Sequence, residues 1–277
     1  MNSGRFRRFS QTDSFVSALA RYLITISAGD AAALSQMLVL LPSRRACRSL
    51  REALLDVGDG KPLLLPRLLP IGELGEETDL AAFIHTESYP PPVAMPAKRR
   101  LLLLTRMVLQ FRPMASSRAL YMAGALADLL DDMMRYNIKP AQLGQIVPDS
   151  LAAHWQETLE CLALITQHWP RILQEQGLLD EVQLQQLRLR QLARQWKSNP
   201  PAIRIVAAGS TGSTPAVREL LSVIATLPNA EVLLPGLDCL LDDEAWDAVG
   251  PTHPQYAIKQ LLAHAGISRH EVKCVED

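Results

Sequence analysis

The chain opens with apolar runs broken by turn residues, then changes to long stretches in which apolar positions recur about every 3.6 residues, then changes back. The most informative stretch is residues 37–55, MLVLLPSRRACRSLREALL. An unbroken apolar run, Met37 to Leu41, meets Pro42 and Ser43, and a helical period follows at once, which predicts a buried strand, a tight turn and a helix. At about 100° per residue, Ala46, Leu50, Ala53, Leu54 and Val57 share one side of that helix. Arg44, Arg48 and Arg51 line the other. Upstream, residues 5–9 fit a short strand with Phe6 and Phe9 inward. A helix over 13–26 follows, capped by Thr12, with Phe15, Leu19, Tyr22, Leu23 and Ile26 on its apolar side. Downstream, Gly58, Asp59 and Gly60 make a turn, residues 63–65 a short strand, and Pro66, Arg67 and Pro70 lead out of it.

The proline-rich link YPPPVAMP marks a boundary. Beyond it the pattern is helical over 97–111, 116–136, 151–175 and 180–197, and four helices without an intervening strand predict an inserted helical subdomain. After Pro200-Pro201 the strand pattern returns with IRIVAAG (203–209). A helix capped by Thr214 with Pro215 in its first position comes next, then a strand over 231–238, a loop containing LDDEAW, a helix from His253 and a last strand in HEVKCV. The predicted class is α/β, with residues 1–95 and 199–277 forming the sheet domain and 96–198 the helical insertion.

Composition narrows this picture. Hydrophobic residues make up 48% and charged residues 21% of the 277, as in ordinary globular proteins. A net charge of -1 leaves any polyanion contact to a local basic patch. No apolar run reaches about 18 residues, so no membrane partner is expected. The four cysteines, Cys47, Cys161, Cys239 and Cys274, form no CxxC pair, which fits a reducing, cytoplasmic setting.

The candidate chemistry lies where strands end. In doubly wound sheets ligands sit at the carboxyl ends of strands, so Ser43, Arg44 and Arg45 stand where an anion would approach the first-turn N–H groups of the helix. The same arginines also suit a merely solvated helix face. The loop Gly209-Ser210-Thr211-Gly212-Ser213-Thr214 has two open readings, a cradle for a phosphate or a sharp turn with a good cap. Asp128, Asp131 and Asp132 fit a solvated acidic face better than a metal site, and Trp155, Trp169 and Trp196 fit packing better than base stacking. Asp238, Asp242, Asp243 and Glu244 come from one loop without a second arm. The six histidines lack metal-ligand spacing, so no cofactor is expected. Ser10, Gln11 and Thr12 occupy the place of a phosphate loop without its glycines or its Lys-Ser/Thr pair. The segment 207–209, Ala-Ala-Gly, lacks an acid for Mg²⁺.

VLLPSRRACRSLREALL, LLLPRLLPIGEL, HWQETLECLALITQHWPRILQEQGLLD, AAGSTGSTPAVRELL, EVLLPGLDCLLDDEAW and HPQYAIKQLL together resemble the N-terminal region of the AddB family in its alphaproteobacterial form, across nearly the whole chain. The resemblance implies a P-loop-NTPase-like parallel sheet of superfamily-one helicase domain 1A type, with a 1B-type helical insertion. It implies a subunit of a helicase–nuclease for double-strand break repair, partnered by an AddA-like motor and by DNA. It also implies a longer parent, whose nuclease domain and iron–sulfur cluster lie outside these residues. Carried over, the DNA contacts are Ser43, Arg44, Arg45 and Arg48, with Arg67, Ser210, Thr211, Ser213 and Thr214, and no catalytic residue falls in this chain. The expectations are therefore a non-hydrolysing scaffold that binds DNA phosphates, a divergent hydrolase using the 209–214 loop, or a purely structural docking domain.

Overall fold

A computed structural model describes residues 5–9, 14–58, 63–74, 92–139, 162 and 164–275. Ser10 to Thr12, the acids of 75–91, Trp155, His154, His85 and Cys161 lie outside the described residues. The chain divides into a sheet unit, Met1–His85 with Arg188–Asp277, and a helical unit, Thr86–Leu187.

In the sheet unit, β1 (Phe6–Arg8), β2 (Leu38–Leu41), β3 (Arg67–Pro70), β6 (Ile205–Ala208), β7 (Ala230–Leu234) and β8 (Lys273–Cys274) form one six-stranded sheet. Its order is β3-β2-β6-β7-β1-β8, and every pairing is parallel. The central strands β2, β6 and β7 are buried at every position, which explains why β2 and β6 read as continuous apolar runs, while β7 is apolar apart from the buried Glu231. Their side chains alternate between two cores, as the period of two demands. Leu38, Leu40, Ile205, Ala207, Val232 and Leu234 meet α8 (Pro215–Ile224), α10 (Tyr256–Ala265) and the end of α7 (Glu181–Ser198) on one face. Val39, Leu41, Val206, Ala208 and Leu233 meet α1 (Phe15–Ile26) and α3 (Arg44–Val57) on the other. Phe6 and Phe9 enter opposite cores.

The crossovers follow from this division. Connections through α1 and α3 run toward the β3 edge on one face, and those through α8 and α10 run toward the β8 edge on the opposite face. Reversing direction and face together keeps one crossover hand, as parallel βαβ units require.

Several elements differ from expectation. The strand foreseen at 63–65 is β3 at 67–70. It is an edge strand, where Pro70 opposite Leu41 is tolerated, while Leu63 and Leu65 pack beside the second core. Short helix α9 (Asp243–Asp247) stands where a loop was expected, and short helix α2 (Ala31–Ser35) precedes β2; they are capped by Asp242 and Asp30, whose carboxylates accept the N–H of Ala245 and Ala32.

The helical unit holds α4 (Ala97–Phe111), α5 (Ser116–Tyr136), a π-helical turn at Leu164–His168, α6 (Trp169–Gln176) and the first turns of α7. It is not free of strands. β4 (Val93–Ala94), inside the proline-rich link, pairs in parallel with β5 (Leu178–Leu179). Two-residue strands are too short to show a period. The pairing places Asp180 in the interior, fully buried. Its carboxylate faces Arg100 Nε at 2.9 Å and accepts the Trp169 indole N–H at 2.8 Å. Arg100 also pairs with Asp131 at 2.8 Å and donates to the Ala127 carbonyl. Asp131 is thus an ion-pair partner, not part of a solvated acidic face, and Asp132 alone of these two faces solvent, beside Arg135. Burial raises the Asp180 carboxyl above its ordinary value, while the Trp169 and Arg100 contacts pull the other way.

Candidate functional site

Strands β2 and β6 are immediate neighbours, aligned Leu38↔Ile205 to Leu40↔Ala207. The chain leaves β2 through α3 on one face and leaves β6 through α8 on the other. Adjacent strands whose connections part in this way create a crevice at their carboxyl ends, the usual ligand position in open α/β sheets.

On the β2 side, Ser43 is extended (φ −157°, ψ 162°) and is the N-cap of α3, its hydroxyl accepting the Ala46 N–H at 3.2 Å. That leaves the N–H groups of Arg44 and Arg45 without acceptors inside the helix. Arg44 pairs through Nε with the Glu73 carboxylate in the turn after β3. Arg45 and Arg48 are exposed and enter no ion pair among the described residues. The opposite face of α3 is anchored by Cys47, Leu50 and Leu54. Burial raises the Cys47 thiol, with Glu73 adding to the effect, so it is a packing group rather than a nucleophile. Cations here oppose the partial positive charge of the helix N-terminus, a cost that an incoming anion relieves. Arg67 is not brought to this edge. It pairs with Leu38 at the start of β3, about 10 Å along the strand from Pro70.

On the β6 side, the loop is more tightly built than its glycine and hydroxyl content suggests. Gly209 has φ +75°, and a Cβ there would lie 3.3 Å from the Phe15 ring and 3.6 Å from Pro42. Gly212 has φ +66°, and a Cβ would meet three Leu261 carbons at 3.3 Å. The Gly212 carbonyl accepts from Arg218 Nε at 3.2 Å, and its N–H donates to the Ser210 hydroxyl at 3.4 Å. Ser213 is exposed and Thr211 half-buried. Thr214 holds the N-cap position of α8 with Pro215 after it, yet its hydroxyl makes no cap bond. Its buried oxygen has no partner, so the sequence-expected cap is positional only.

The Phe15 ring, which sequence reasoning assigned only to a helix core, is the feature it missed. It contacts Gly209 and stacks edge-on against Phe9, centroids 5.4 Å apart. In the sequence only the glycine at 209 marks the place; its φ of +75° and the ring beside it emerge from the structure. The opposite end of the sheet carries a separate polar cluster. There the Tyr22 hydroxyl donates to buried Glu231, which also faces Arg7 at 3.3 Å and Arg204 at 3.5 Å. Burial and this carboxylate push the Tyr22 hydroxyl up, well above its ordinary value.

The remaining candidates have local duties. Asp238 accepts the N–H groups of Leu240 and Leu241, Asp242 caps α9, and Asp243 holds Arg269 and His270. Gln255 joins the Gly236 carbonyl to the Asp238 N–H, which fixes the turn after β7. Trp169 and Trp196 are core residues. Among the described residues, no group of three His, Cys, Asp or Glu could hold a metal ion. No described helix is long and apolar enough to cross a membrane. No family model matches the chain, and no curated protein matches it.

Proposed function

We propose that this chain is a helicase-like module of AddB type, with a P-loop-NTPase-like sheet, that grips DNA phosphates without hydrolysing nucleotide and docks an AddA-like motor in the cytoplasm. The observation that carries the proposal is the parting of β2 and β6 at one edge. It sets Arg45, Arg48 and the first turn of α3 on one strand end and the Ser210–Thr214 loop on its neighbour. Exposed guanidinium groups beside backbone N–H groups suit phosphate oxygens through charge-assisted hydrogen bonds. Ser43 supports this by fixing the helix start, and the Arg44 guanidinium, held by Glu73, keeps a cationic group beside an approaching phosphate. Arg67 has no part in this edge and drops from the contact set. Phe15 and Pro42, which both close on the Cβ position of Gly209, and the absence of an acid at 207–209 speak for a site that does without a Mg²⁺-nucleotide.

The test is DNA-end binding by the chain assembled with its motor, measured across a salt series. Replacing Arg45 and Arg48 with alanine is expected to weaken binding at every sequence and to flatten the log K against log salt slope by about 2. An unchanged slope overturns the assignment. Saturable Mg-ATP binding by the chain alone, lost on altering Thr211 or Ser213, would replace it with the hydrolase.

A further inference from the structure

Away from that edge, α9, α10 and the turn before β8 enclose a cleft of about 440 Å³. This is within the range of small-ligand sites, about 300–1,000 Å³. Its one deeply buried charge is Arg269, whose side chain is only 4% exposed. The guanidinium is held on two sides. One terminal nitrogen donates to Asp243 at 2.7 Å, and the plane lies 5.2 Å from the Trp246 ring. Its Nε and other terminal nitrogen are buried without a hydrogen-bond acceptor. Burying charged donors without an acceptor forfeits their hydration, so buried groups of this kind call for a partner.

The frame around Arg269 is set without help from a ligand. Ser268 and Glu271 form a reciprocal capping box that fixes the turn carrying Arg269. Lys259 spends its ammonium on the carbonyls of Trp246 and Asp247, both at 2.8 Å, and ties the end of α9 to α10. Leu262, Ala263 and Ile267 add an apolar wall beside Trp246. A fixed guanidinium with spare donors next to an apolar wall matches a carboxylate carried on an apolar group. Asp243 and Asp247 on the lining disfavour a phosphate dianion, which would meet two like charges where a carboxylate brings only one.

We propose that this cleft binds an apolar carboxylate, either a small acid or the C-terminal residue of a peptide, with Arg269 as its anchor and Trp246, Leu262 and Ile267 as its seat. The inference is independent of the DNA-binding proposal. Titration calorimetry of the whole chain with N-acetyl-leucine and with N-acetyl-leucinamide tests it. The acid is expected to bind at least ten-fold tighter than the amide, and inorganic phosphate is expected not to displace it. R269Q should abolish binding. Because Arg269 is buried, A263F provides a second variant: Ala263 is an exposed residue of the cleft lining on α10, so a phenyl ring there is expected to obstruct the cleft while Arg269 itself is kept. A hexapeptide ending in leucine identifies the source, a tighter fit than the free acid indicating a protein C-terminus and an equal one a small acid. Equal binding of acid and amide, no binding of either, displacement by phosphate, or full retention in A263F overturns the proposal.

Discussion

Two sets of arginines in this molecule have opposite surroundings. In the helical unit, Arg100 is buried, and each of its three guanidinium nitrogens lies within 3.4 Å of an acceptor, from Asp131, Asp180 or the Ala127 carbonyl. At the edge of the sheet unit, Arg45 and Arg48 stand in solvent, without an ion pair among the described residues. The first arrangement answers its charge internally with two carboxylates and holds a fold together. The second keeps its charge for a ligand. Arg269 is the intermediate case, buried with one terminal nitrogen on Asp243 and its other two nitrogens without an acceptor.

The largest effect is expected from breaking the saturated set. Arg100→Met leaves Asp180, fully buried, without its counter-charge, and losing one partner of a buried pair costs about 3–5 kcal/mol. Urea unfolding should show that loss, and removing the second charge with Asp180→Asn should recover part of it. A loss below about 1 kcal/mol would mean that Arg100 is no more structural than Arg45, which erases the contrast.

The next effect concerns how tightly the open edge is built. Gly212→Ala must place a methyl at φ +66° against Leu261, whereas Gly236→Ala meets only the strain of φ +59°, with nothing within 4 Å. The left-handed conformation alone costs about 1–2 kcal/mol. Gly212→Ala should therefore lower the urea midpoint more than Gly236→Ala, and equal midpoints would show that the loop yields to the side chain. A smaller effect on stability is expected from the Arg45→Ala, Arg48→Ala pair, within about 0.5 kcal/mol, since both residues are exposed and neither has an ion-pair partner among the described residues. A larger loss would place these arginines with Arg100.

The parts legible in the sequence were those set by local period. The buried run 37–41 and the two faces of α3 followed from spacing alone, because a parallel strand covered on both sides must be apolar throughout. The bounds of α4 and α5 were readable for the same reason. Pairings that depend on distant residues were not. Arg100 sits in AKRRLLLL, where nothing separates it from Arg99, and its partners lie at positions 127, 131 and 180. β4 and β5 have two residues each, and Arg67 was misplaced by assuming that the strand ended before it. At the candidate site, the strand-end position of Ser43 to Arg45 was legible. The approach of Phe15 to Gly209 was not, because it joins elements nearly two hundred residues apart.

The finest measure of the contrast is the titration of two carboxylates that each face an arginine. Asp180 is buried, and desolvation raises its pKa above the ordinary 3.8 despite Arg100. Asp243 is exposed, and hydrogen bonds from His270 first and Arg269 second lower its pKa below 3.8. A raised folded-state pKa means that the Asp180 contribution to stability is complete below the unfolded value and is lost as pH rises through the folded one. A lowered one means that the Asp243 contribution is present above the unfolded value and is lost as pH falls through the folded one. Carboxyl-carbon NMR over an acid titration should give midpoints on opposite sides of 3.8, with the Trp169 indole N–H moving in step with Asp180. In Arg100→Met the Asp180 midpoint should climb further, because the remaining lowering influence is the Trp169 hydrogen bond alone. If both midpoints fell below 3.8, charge pairing would outweigh burial in the helical unit. Arg100 would then differ from the edge arginines only in having found its anions within the chain.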